Sequence, residues 1–105
     1  MAVKLADDTS FQQQLVENEK VVVKYHAGWC GSCRLFAPKF KRLSTDERFQ
    51  EVTFLHVDTE HSPEARRLGK VRNLPFFAIF KNGELVETLA SVKEEQVVSL
   101  IQKLG

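Results

Sequence analysis

Cys30 and Cys33, the two cysteines of the chain, stand two residues apart in Trp29-Cys30-Gly31-Ser32-Cys33. Thiols at i and i+3 on the first turn of a helix can close a small disulfide ring, and the helix N-terminus favours a thiolate there. Such a pair does what one thiol cannot. The first attacks a substrate disulfide and forms a mixed disulfide; the second attacks the first sulfur, releases the reduced substrate and closes the ring. The attacking thiol has to be accessible and readily ionised. Cys30 lies at the helix start beside the loop Ala27-Gly28-Trp29, which assigns it the attack. Cys33 falls one turn in, on the stripe that faces the core, which assigns it the resolving step. Trp29 reads both as an aromatic cover for the loop and as a flat apolar wall beside Cys30. Gly31 either eases the turn or allows a partner's backbone to come close.

The elements that must hold this pair are legible on both sides of it. Val21 to His26 is a continuous apolar-rich run, as in a strand buried on both faces. Alternation puts Val22, Lys24 and His26 on one face and Val21, Val23 and Tyr25 on the other. After the cysteines, Leu35, Phe36, Phe40 and Leu43 continue a helical pattern, with Cys33, Phe36, Phe40 and Leu43 near one stripe. Pro38 inside it removes a backbone hydrogen bond, and Lys39, Lys41 and Arg42 read as a solvated face. A C-x-x-C at such a strand-to-helix junction reads as a redox dithiol.

The remaining elements follow in order. Val3-Lys4-Leu5 is a short edge strand. A helix capped within Asp7-Asp8-Thr9-Ser10 carries Phe11, Leu15 and Val16. Val52 to Asp58 is a strand on which His56 reads as half-exposed, and Ser62-Pro63 caps a helix bearing Ala65, Leu68 and Val71. Phe76 to Phe80 and Leu85 to Leu89 flank Asn82-Gly83, a strong hairpin signal. A last helix starts near Val92-Lys93 and carries Val97, Val98, Ile101 and Leu104. The order β-α-β-α-β-α-β-β-α predicts an α/β fold, a mixed central sheet with helices on both faces, in one domain spanning residues 1–105.

Composition narrows the function. With 105 residues, 43% of them hydrophobic and 28% charged, the chain suits one globular domain. A formal net charge of +1 gives no strong field toward nucleic acid or a membrane surface, and no apolar run reaches spanning length. Two cysteines cannot form a disulfide framework, and even with His26 and His61 a metal site is disfavoured by spacing. Met1 to Ser10 lacks the apolar region of a signal peptide, so a reducing cytoplasm is the expected compartment. No Gly-x-Gly-x-x-Gly occurs, so the expected cofactor is none beyond the dithiol itself, and electrons must come from another protein.

Over essentially its whole length the chain resembles the thioredoxin family, whose usual motif is Trp-Cys-Gly-Pro-Cys. The resemblance rests on Trp29 to Cys33, on Asn73-Leu74-Pro75 and on Phe80-Lys81-Asn82-Gly83-Glu84, in matching order and spacing. It implies the thioredoxin fold, with Leu74-Pro75 as a cis bond facing the dithiol and leaving Leu74's backbone free to pair with an extended substrate. Several positions depart from the family. Ser32 stands at the usual proline, His26 at a usual tryptophan and Ser91 at or beside a usual glycine. Lys24 stands at a buried aspartate beneath the second cysteine, and Phe54 at the lysine that neighbours it. The resemblance thus brings Lys24 near Cys33, where an ammonium would favour the thiolate that an aspartate disfavours. A buried lysine must find a partner, lower its pKa or carry its head group to water.

Three functions compete. The first is a monomeric protein disulfide reductase, recharged by a separate reductase and serving electron transport and redox homeostasis. The second is a more oxidising oxidase or isomerase, to which Lys24 and Ser32 lend weight. The third is a non-enzymatic adaptor with an incidental dithiol, against which stand the intact cysteines, Trp29 and Leu74-Pro75.

Overall fold

The computed structural model describes residues 3–105, so the first two residues of the expected domain lie outside the described residues. The elements run β1 (Lys4–Ala6), α1 (Phe11–Glu17), β2 (Lys20–His26), α2 (Gly31–Ser44), β3 (Thr53–Asp58), α3 (Pro63–Gly69), β4 (Phe76–Lys81), β5 (Glu84–Leu89) and α4 (Glu94–Gln102). A 3-10 turn at Glu47–Phe49 precedes β3. The element order expected from the sequence is the one observed.

The strands form one sheet in the order β1-β3-β2-β4-β5. β1, β3 and β2 run parallel, while β4 runs antiparallel to both β2 and β5. The β4–β5 reversal at Asn82-Gly83 has φ of 54° and 83°, the two positive values that a type I′ turn requires.

Each face of the sheet has its own core, because the central strand is apolar on both. Val21, Val23 and Tyr25 pack with Phe11 and Leu15 of α1 and Ala65 of α3. Val22 packs on the opposite side with Phe36, Phe40 and Leu43 of α2 and Val97 and Ile101 of α4. Lys24 belongs to that second face by alternation and is buried there, which sets up the site.

Two local expectations give way to tertiary context. Val16 and Leu35 follow the helical spacing but are solvent-exposed, because each lies off the stripe that meets the sheet. Ser62 does not cap α3; its hydroxyl is buried without a hydrogen-bond partner among the described residues. Asp8 caps instead, its carboxylate accepting from the backbone N–H groups of Glu64 at 3.0 Å and Ala65 at 2.9 Å. The basic run on α2 is solvated at Lys41 and Arg42, and Arg42 pairs with Glu94 at 3.0 Å.

Candidate active site

β2 delivers the chain through Ala27-Gly28-Trp29 to the start of α2, where Cys30 and Cys33 are joined by a disulfide. Cys30 is the N-cap of this 14-residue helix, with extended backbone, and its Sγ accepts from the Cys33 N–H at 3.2 Å. That donor is one of the orphan N–H groups of a helix start, and it would stabilise a thiolate on Cys30 when the ring is open. The Ser32 hydroxyl lies 3.6 Å from the same sulfur, a polar neighbour that a proline would not supply. Gly31 is exposed and a Cβ there would touch nothing within 4 Å, so the approach over it is open.

The expected accessibility of Cys30 needs correction. Cys30 is 5% exposed against 2% for Cys33, so the closed ring covers both sulfurs. The distinction between them therefore comes from position: Cys30 caps the helix, while Cys33 lies inside its first turn on the face that meets the sheet. Trp29 is 71% exposed beside them, its indole N–H donating to Glu60 at 3.1 Å. A ring held by one polar tether with its faces in water is a wall rather than a core residue.

Leu74-Pro75 is cis, as the resemblance implied. Pro75 is buried and Leu74 is half-buried against the core around Tyr25. Tyr25 pairs with Phe76 across β2 and β4, so the cis bond sits at the sheet end from which β2 leads to the cysteines. Trp29, Cys30, Gly31 and Pro75 thus gather at one end of the sheet.

Lys24 is buried, 1% exposed, and does not carry its head group to water. It lines a cavity of about 230 Å3 together with Cys33. Its partner is His56, directly across from it in the parallel β2–β3 register, with Nζ and Nε2 3.2 Å apart. His56 in turn stacks on His26, ring centroids 3.8 Å apart. Burial pulls the Lys24 pKa down to about 8. His56 is pushed down to about 3, first by burial and then by the charge of Lys24; His26 is lowered for the same two reasons. The sequence reading missed His56 as the lysine's partner. Strand alternation contained the signal, since two inward polar residues on adjacent buried strands must satisfy each other, but it needed the register. Phe54 shows no link to Lys24; it packs 5.1 Å from Phe40 and 6.4 Å from Phe49, centroid to centroid. Among the described residues no three or more His, Cys, Asp or Glu side chains are grouped to hold a metal ion.

The sequence matches the thioredoxin family profile over residues 2–103. The chain belongs to the thioredoxin family. Human thioredoxin is 31% identical over 106 residues, with 99% of each chain covered. Thioredoxin-1 of Schizosaccharomyces pombe is 29% identical, with 97% of each covered. Among solved structures, Plasmodium falciparum thioredoxin superposes with a TM-score of 0.88 at 29% identity, covering 98% of this chain and 100% of that one. A crystal structure of a complex of ferredoxin:thioredoxin reductase and thioredoxin f2 gives a TM-score of 0.86 at 30% identity, covering 97% and 94%. With the Cys30–Cys33 disulfide in place, the chain is a thiol-disulfide oxidoreductase.

Proposed function

We propose that this thioredoxin-family member reduces disulfides in other proteins, with Cys30 as nucleophile and Cys33 as resolving thiol. The observation that carries the roles is the N-cap position of Cys30, whose sulfur already accepts a helix N–H that would stabilise its thiolate. The substrate lies as an extended segment against Trp29, Gly31 and the Leu74-Pro75 loop, where the open space above Gly31 admits a backbone. No bound cofactor takes part; the Cys30–Cys33 pair carries the two electrons. A separate reductase restores the dithiol, as the thioredoxin f2 relative crystallised with ferredoxin:thioredoxin reductase suggests by likeness. The protein works as a monomer; its two cysteines, which serve exchange rather than a structural framework, suit a reducing compartment such as the cytoplasm. No described helix is long and apolar enough to cross a membrane, and neither membrane nor nucleic acid is a partner.

The test is a Cys33→Ser protein incubated with a disulfide-containing substrate such as insulin. A mixed disulfide through Cys30 should accumulate, and the parent protein, unlike Cys30→Ser, should reduce insulin with dithiothreitol. Turnover by Cys30→Ser equal to the parent's would refute the assignment. The buried Lys24 favours a second reading, a more oxidising catalyst. Equilibration of the disulfide against glutathione buffers separates the two.

A further inference from the structure

One side chain that this exchange has not used stands where three cavities meet. His56 lines the cavity of about 230 Å3 that also holds Lys24 and Cys33. It lines a second of about 290 Å3, with Lys24 and Lys41. It lines a third of about 430 Å3, with His26, Asp58, His61 and Asp7. His56, with His26 beside it, is thus common to the cavity that holds Cys33 and to this outer cleft. Among the described residues lining these three cavities, the carboxylates belong to that cleft, and the other two carry the charges of Lys24, Lys41 and Arg34.

The charge on Lys24 sets the tautomer of its partner. A protonated Lys24 has donors only, so at 3.2 Å His56 must accept at Nε2 and carry its own proton on Nδ1. Such an imidazole can gain a proton at one nitrogen while losing one from the other. His26, stacked on it, holds the ring plane. Burial keeps His56 from trapping a proton, and leaves Lys24, at about 8, able to exchange in both directions near neutrality. A cavity of about 230 Å3 has room for several waters between thiol and amine.

We propose that His56 is a positioning residue of the resolving step: it holds Lys24 as proton acceptor for the Cys33 thiol and passes that proton to the cleft lined by Asp58 and His61. The inference rests on the reading of Cys33 as the resolving thiol. In the step, the Cys33 S–H proton moves to the Lys24 amine. The Cys33 thiolate forms a bond to Cys30 Sγ, and the bond from Cys30 to the substrate sulfur breaks. The substrate sulfur leaves with the electron pair and takes a proton from solvent, so the dithiol is oxidised as the substrate is reduced. His56 accepts at Nε2 and releases from Nδ1, returning Lys24 to the amine.

Reduced protein mixed with dithiobis(nitrobenzoate) tests this by stopped flow. One thionitrobenzoate is released when Cys30 attacks and a second when Cys33 resolves. His56→Gln keeps an acceptor for Lys24 but cannot pass a proton, so the second phase should slow about tenfold relative to the first near neutral pH. Its pH profile should move upward, and added imidazole should restore it. A second phase in His56→Gln with the parent's ratio and pH profile overturns the proposal. If that variant does not fold, the parent decides: its second phase should be slower in heavy water, and equal rates overturn the proposal. A parent that releases no second equivalent removes the resolving role of Cys33 itself, and the relay with it.

Discussion

Replacing Lys24 by methionine takes a buried cation away from Cys33 while keeping an unbranched side chain in the core. Its size of effect follows from the shared cavity. Lys24 and Cys33 line one cavity, and an ammonium and a thiolate about 8 Å apart, at an effective dielectric constant of about 20, attract by about 2 kcal/mol. That is about 1.5 pK units of thiolate stabilisation. The disulfide has no charge for Lys24 to stabilise, so the attraction favours the reduced form alone. For a two-electron couple each tenfold change in equilibrium constant is about 30 mV, so Lys24→Met should be more reducing by up to about 45 mV. The difference should be largest where thiolate and Lys24 ammonium coexist, vanish at low pH where both thiols are protonated, and shrink again as pH rises past the Lys24 pKa, about 8 with the ring closed and higher beside a thiolate. The assay is equilibration of the Cys30–Cys33 disulfide against glutathione or dithiothreitol buffers on both sides of that pH, with thiolate absorbance giving the cysteine titration. A folded Lys24→Met protein with the parent's potential and thiol titration refutes the reasoning. So does a difference that persists undiminished well above the Lys24 pKa, where no ammonium is left to favour the thiolate.

The same substitution should alter stability with pH in the oxidised protein. Lys24 titrates at about 8 when folded and 10.5 in the reference state; between these the unfolded chain holds more protons, so parent stability rises with pH by up to about 3 kcal/mol, and Lys24→Met should lack that rise. Above pH 10 Tyr25 acts in the opposite sense in both proteins, because burial raises its pKa and the folded state keeps a proton that the unfolded state releases; urea unfolding across the alkaline range reads both. In the reduced protein iodoacetamide should label Cys30 before Cys33, as peptide mapping would show, because Cys30 caps α2 and Cys33 faces the sheet. Gly69→Ala should cost about 2–4 kcal/mol by calorimetry or denaturant titration. A Cβ there would overlap the Tyr25 ring and hydroxyl, displacing the bond that the hydroxyl donates to the Ala65 carbonyl at 2.9 Å; an unchanged unfolding midpoint would refute that packing argument.

The dithiol, the strand before it and the stripe of Cys33, Phe36, Phe40 and Leu43 were all legible in the chain, because each depends on residues within a few positions of one another. So was the Asn82-Gly83 reversal, whose backbone needs two positive φ values that those residues tolerate. Alternation along β2 likewise sorted Val21, Val23 and Tyr25 from Val22 and Lys24, since a strand's side chains point by turns to opposite faces. What lay beyond reach was every relation set by pairing between distant segments. The β1-β3-β2-β4-β5 order put His56 against Lys24, 32 residues away in sequence, and made a half-exposed strand histidine the partner of a buried amine. Folding of the N-terminal loop onto α3 let Asp8 take the capping role that Ser62 was expected to fill. Closure of the disulfide covered Cys30, which its place beside an exposed loop had suggested was open. Local periodicity and turn chemistry are fixed by a residue's near neighbours, whereas burial, partners and pKa depend on which remote surfaces share one low-dielectric space, and only the assembled sheet and its helices create that space.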